Sequence, residues 1–140
     1  MAKGCILVVD DEPMIERAYE ELLESSGYER ISYNDAQEAF YFLMVNHSKI
    51  DVALIDLTMP NVKGSEIARQ MSFIDPELPI ILMTGNLETD YEDANVRTVL
   101  KKPITKAELL AAVERHMRQS PHESCEAIST DRDQTKSSSV

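Results

Sequence analysis

The sequence predicts an α/β domain, a doubly wound, five-stranded parallel sheet with flanking helices. Three observations predict it. Short apolar segments alternate with helix-period segments five times between about residues 4 and 118, the order that builds a parallel sheet. Segments such as ILVV (6–9) and VALI (52–55) show no polar alternation, as strands buried on both faces require. The chain has 140 residues, 43% of them hydrophobic, enough for one domain with its own core.

The strands are expected at Cys5–Val9, Arg30–Tyr33, Val52–Ile55, Ile80–Met83 and Val96–Leu100. The first helix, Pro13–Ser26, places Met14, Ile15, Ala18, Tyr19, Leu22 and Leu23 on one stripe and Glu16, Glu20, Glu21 and Glu24 off it. Gly27 stops it. Asp35-x-x-Glu38 opens the second helix, which carries Ala36, Ala39, Phe40 and Leu43 inward. One of Tyr41 and Phe42 is expected to be exposed. A third helix runs from about Ser65 to Phe73, before Pro76, and a short fourth lies near Leu87–Ala94. Thr105-x-x-Glu108 caps the last, with Leu109, Leu110, Val113 and Met117 inward. Crossovers between the strands are expected to be right-handed.

Composition shifts at Gln119. Beyond it the only large aliphatics are Ile128 and Val140. Residues 119–140 read as a disordered, acidic, Ser-rich C-terminal tail, and residues 1–118 as the folded domain. The whole chain carries 25 acids and 14 bases, a net charge of -11. The tail holds four acids and two bases, so the domain keeps 21 acids and 12 bases. Such a charge repels nucleic acid and anionic membranes. No apolar run approaches the roughly 20 residues of a membrane helix, and the start, MAKGCILVVDDE, turns acidic too early for a signal peptide. Cys5 sits in an apolar run and Cys125 in the polar tail. Free thiols and a cytoplasmic location are expected.

In open α/β sheets the site lies beyond the carboxyl ends of the strands. Asp10, Asp11 and Glu12 follow the first strand, Asp56 ends the third, Thr84 the fourth and Lys102 the fifth. Singly, each has a plainer reading: an acidic helix start, a turn residue, Thr-Gly turn chemistry, a solvated lysine. Jointly they put three carboxylates, a hydroxyl and an ammonium on one rim. Carboxylates this close resist ionising together. A hard divalent cation such as Mg²⁺, which takes oxygen ligands and phosphate oxygens, relieves the repulsion. The rim then suits an incoming phosphoryl group.

The motifs LVVDDEP (7–13), DLTMPNVKG (56–64), LMTG (82–85) and KKP (101–103) resemble those of two-component response-regulator receiver domains, the phospho-acceptor fold shared with the chemotaxis regulator. The resemblance covers about residues 4–118 and implies a flavodoxin-like receiver fold. It implies that Asp56 is the phosphorylated nucleophile, and that Mg²⁺ is held by Asp10, Asp11, Asp56 and the carbonyl of Thr58. Lys102 would pair with a phosphoryl oxygen, and the Thr84 hydroxyl and Gly85 N–H would approach it. Thr58 and Asn86 would tune the lifetime of the phosphorylated state. Lys102–Pro103 would be cis. The implied partner is a histidine kinase or histidine phosphotransfer protein, and the domain would catalyse only its own phosphorylation and dephosphorylation.

Three features depart from the family. Val99 stands at the switch position, where a Tyr or Phe is usual. The stretch from Thr84 to Lys102 is about one helical turn short, and Asn95-Val96 replaces the glycine often found before the fifth strand. A phosphorylation-independent interaction module is therefore an alternative. A Mg²⁺-dependent phosphatase is disfavoured, because Thr58 stands where its second acid belongs. His47, His116 and His122 are expected to be surface residues, and Met59 and Met83 packing residues.

Overall fold

The computed structural model describes residues 3–10, 13–56, 64–84 and 95–118; residues 13–16, 64 and 65 are described by backbone alone. Five strands, β1 (Cys5–Val9), β2 (Glu29–Tyr33), β3 (Val52–Asp56), β4 (Ile80–Thr84) and β5 (Val96–Lys101), form one sheet in the order β2-β1-β3-β4-β5. Every neighbouring pair is parallel. The helices are α1 (Pro13–Ser25), α2 (Ala36–Asn46), α3 (Gly64–Ile74) and α4 (Lys106–His116), with a 3-10 turn at His47–Lys49. The expected fourth helix near Leu87–Ala94 falls outside the described residues.

The uninterrupted apolar strands are explained by two cores. Cys5, Leu7 and Val9 of β1, Ala53 and Ile55 of β3, and Ile80 and Leu82 of β4 pack with residues of α2 and α3, among them Phe40, Leu43, Ile67 and Met71. The alternate residues Ile6, Val8, Val52, Leu54, Ile81 and Met83 pack with Leu23 of α1 and Leu109 and Val113 of α4. Since successive side chains point to opposite faces, a strand covered on both sides must be apolar at every position. Each fully buried Val, Leu, Ile or Met side chain among them contributes about 1.5–3 kcal/mol relative to exposure.

Local signals set the element ends. The Asp35 side chain accepts from Gln37 N–H at 2.8 Å and caps α2. The Thr105 side chain accepts from Glu108 N–H at 3.1 Å and caps α4. Gly27 takes φ 98°, the left-handed conformation that ends α1 without a Cβ penalty. Tyr41 is exposed and Phe42 buried, packing 5.4 Å from Tyr33. One expectation fails in α1: Ala18, assigned to the inward stripe, is exposed. Leu23 is buried and Tyr19 and Leu22 are half-buried, so among the described side chains of α1 the apolar arc is narrower than the sequence stripe; the side chains of Met14 and Ile15 lie outside the described ones. A methyl group contributes little apolar area and does not decide which way a helix turns.

Candidate functional site

Parallel pairing brings the strand ends to one edge. Val9 pairs with Ile55, so Asp10 and Asp56 stand side by side one step further on. Both are 0% exposed. Thr84, at the end of β4, is also buried. Its carbonyl accepts from Lys102 N–H at 2.7 Å, immediately beyond β5. The Lys102–Pro103 peptide is cis, as expected. Lys102 Nζ donates to Asp56 Oδ1 at 2.7 Å. Asp10 is held through its backbone, whose N–H donates to Tyr33 carbonyl at 3.0 Å.

Among the described residues the site brings together two fully buried carboxylates and the Lys102 ammonium. Burying charges is expensive, and a buried pair is weak evidence for stability. Its chemistry is a better guide. Carboxylate oxygens are hard donors. Asp10 and Asp56 therefore fit a divalent cation of the Mg²⁺ type. No group of three or more His, Cys, Asp or Glu side chains that could hold a metal ion occurs among the described residues. Asp11, Thr58, Gly85 and Asn86, all expected at the site, lie outside them. Val99 is half-buried in β5, opposite Leu82, and packs on the core shared with α2 and α3.

Comparison with known proteins decides the family. Residues 6–114 match the response regulator receiver domain. This chain belongs to that family. The receiver is 34% identical over 104 residues to the sensor histidine kinase RcsC of Escherichia coli K12, covering 71% of this chain and 11% of the kinase. It spans 20% of the Candida albicans transcription factor SKN7 and 55% of Mycobacterium leprae response regulator MprA, so it matches only part of the length of these relatives. Among solved structures, a receiver domain protein from Clostridium thermocellum superposes with TM-score 0.72 at 30% identity, covering 81% of this chain and 93% of that one. The Thermotoga maritima response regulator TrrA, solved in complex with Mg²⁺-BeF, gives TM-score 0.73 at 28% identity over 81% of this chain and 99% of its own. The receiver thus has the flavodoxin-like fold of two-component signalling domains. No helix among the described residues is long and apolar enough to cross a membrane.

Two expectations are corrected away from the acidic edge. His47 is not a plain surface residue. It is half-buried, and its Nδ1 lies 3.0 Å from Asp75 Oδ2. Arg118 closes the same network. It donates from Nη2 to Asp75 Oδ2 at 2.8 Å and to His47 carbonyl at 2.7 Å, and from Nε to Ile50 carbonyl at 3.0 Å. Burial pushes the Asp75 carboxyl up, but hydrogen bonds from Arg118, His47 and the Glu77 N–H outweigh it and hold the group below its usual value. Asp51 links this cluster to β1, its Oδ2 accepting from Cys5 N–H at 2.8 Å and its carbonyl from Arg118 N–H at 3.1 Å. Side-chain partners 28 to 71 residues apart in sequence leave no local signature. Cys5 is disulfide-bonded, not the free thiol that composition suggested; composition carries no information on whether two sulfurs meet. His116 is half-buried at the end of α4. His122 and Cys125 lie outside the described residues.

Proposed function

We propose that this receiver accepts a phosphoryl group on Asp56 from a histidine kinase or histidine phosphotransfer protein. A carboxylate oxygen of Asp56 forms the new bond to phosphorus as the donor's phosphorus–nitrogen bond breaks. The observation that carries this reading is the buried Asp56 carboxylate, at a strand end, 2.7 Å from Lys102 Nζ and beside Asp10. Lys102 offsets negative charge that grows on the transferring group. Catalysis of this kind is mostly positioning and electrostatics. Asp10, Asp11, Asp56 and the Thr58 carbonyl would hold Mg²⁺, which would neutralise phosphoryl oxygens. The Thr84 hydroxyl and Gly85 N–H would donate to the phosphoryl group, and Thr58 and Asn86 would govern the access of water to the aspartyl phosphate. Residues 1–118 would be the working unit and residues 119–140 an appendage to it.

The test is incubation with acetyl phosphate and Mg²⁺, followed by intact mass. One added phosphoryl group is expected, absent with a chelator and absent in Asp56→Asn. Labelling that survives either change would refute the assignment.

A further inference from the structure

We propose that Cys5 and Cys125 form an intrachain disulfide that ties residues 119–124 to the foot of the sheet, and that this bond is a redox-sensitive modification site. Cys5 opens β1, at the end of the sheet opposite Asp10 and Asp56. It is disulfide-bonded, and the sequence holds one other cysteine, Cys125. Cys5 is fully buried in the core shared with α2 and α3. That leaves no room for a second folded copy and points to a partner within the chain.

The path of the chain leads there. Met117 packs on the core under α1 and α4, and an added Cβ at Gly4 would meet its Sδ. The Arg118 guanidinium reaches the other face, donating to the carbonyls of His47 at 2.7 Å and Ile50 at 2.8 Å. The chain therefore crosses from one face to the other beside the start of β1. Arg118 N–H donates to the Asp51 carbonyl at 3.1 Å. Asp51 is itself clasped to Cys5. Its N–H donates to the Cys5 carbonyl at 2.8 Å, and its Oδ2 accepts from Cys5 N–H at 2.8 Å. Asp51 alone thus stands between Arg118 and Cys5. Cys125 follows seven residues after Arg118, a stretch that spans at most about 25 Å, ample for the chain to turn back onto Cys5.

Composition makes the bond reversible. Residues 119–124, Gln-Ser-Pro-His-Glu-Ser, hold no large aliphatic or aromatic side chain that would press the two sulfurs together. A disulfide held by a tether and not by packing is the labile kind that thiol buffers open and close. In reducing compartments such bonds act as transient sensors. The oxidant is a small disulfide such as oxidised glutathione. The Cys125 thiolate attacks one of its sulfurs, and its S–S bond breaks to release one glutathione thiol. The Cys5 thiolate then attacks the Cys125 sulfur and releases the second. The electrons and protons lost by the two protein thiols appear on the two glutathione thiols. Exchange enters at Cys125, because Cys5 is buried.

The experiment treats the full chain with oxidised glutathione, blocks remaining thiols with iodoacetamide and digests with trypsin without reductant. A peptide joining residues 4–17 to residues 119–132 is expected from the monomer. It should be absent in Cys125→Ser and lost when the native protein meets excess reduced glutathione. Arg118 N–H should exchange with solvent at least about tenfold more slowly in the oxidised than in the reduced wild type, with no such difference in Cys125→Ser. Free thiols at both positions after oxidation, or a joined peptide found only in a covalent dimer, would overturn the proposal. So would a bond that the native protein keeps in excess reduced glutathione, or equal Arg118 exchange in the two forms.

Discussion

Replacing Lys102 by alanine leaves the fully buried Asp56 carboxylate without the ammonium 2.7 Å away. At an effective dielectric of 20 the gross attraction at that distance is about 6 kcal/mol. Much of it offsets desolvation, because Asp56 is inaccessible and the Lys102 side chain is only 18% exposed. Removing one partner of a buried pair nonetheless costs about 3–5 kcal/mol, since the other charge stays buried. We expect the low end, about 3 kcal/mol, because lysine retains some contact with water. The same change in an Asp56→Asn background should cost no more than about 1 kcal/mol, because no charge is then stranded at that position. Urea denaturation of the wild type, both single variants and the double variant, without metal, measures the coupling. A coupling near 2 kcal/mol is the expected order for contacting charges. A Lys102→Ala cost that is the same in both backgrounds would show that the contact carries no energy and that the electrostatic account of the site is wrong.

Other outcomes follow from the same structure. Arg118→Ala removes hydrogen bonds to Asp75, His47 and Ile50 and should cost about 3 kcal/mol in a denaturant titration. Asp75 is held below its usual value of 3.8, so the stabilisation from its ionised form is fully present above that pH and is lost as pH falls through the lower, folded value; the gap between wild type and Arg118→Ala should narrow only below about pH 4. At Gly4 an added Cβ would meet Met117 Sδ and Asp51 Oδ2, so Gly4→Val should lower the melting temperature more than Gly4→Ala, whose single methyl the flexible Met117 can accommodate. Beryllofluoride with Mg²⁺ should shift Thr84 amide signals strongly and those of Val96–Leu100 weakly, because Val99 has no ring to rotate inward; large, spread shifts across β5 and α4 would contradict that.

The parts of this receiver readable from sequence are those specified locally. The β1 strand ends where the apolar run meets Asp10, Gly27 ends α1, and Asp35 and Thr105 cap α2 and α4, because each depends on a few neighbouring residues. The gathering of Asp10, Asp56, Thr84 and Lys102 was also legible, since strand ends in a parallel sheet share an edge. The Asp75–Arg118–His47 network was not, because its members meet only when the end of α4 returns to the loops after α2 and α3. A bulge in β5 at Arg97 is a matter of register, which apolar patterning constrains weakly in a half-exposed edge strand. Exposure of Ala18 and Phe73 depends on how each helix is rotated against the sheet, a choice made by larger neighbours.

The central claim is that Asp56 carries the phosphoryl group. Its most direct test is to treat the receiver with acetyl phosphate and Mg²⁺, reduce the acyl phosphate with borohydride, and locate the resulting homoserine by tandem mass spectrometry. Homoserine at position 56 alone is the predicted result. Homoserine at Asp10 or another aspartate, or phosphorylation confined to a histidine, would contradict the account.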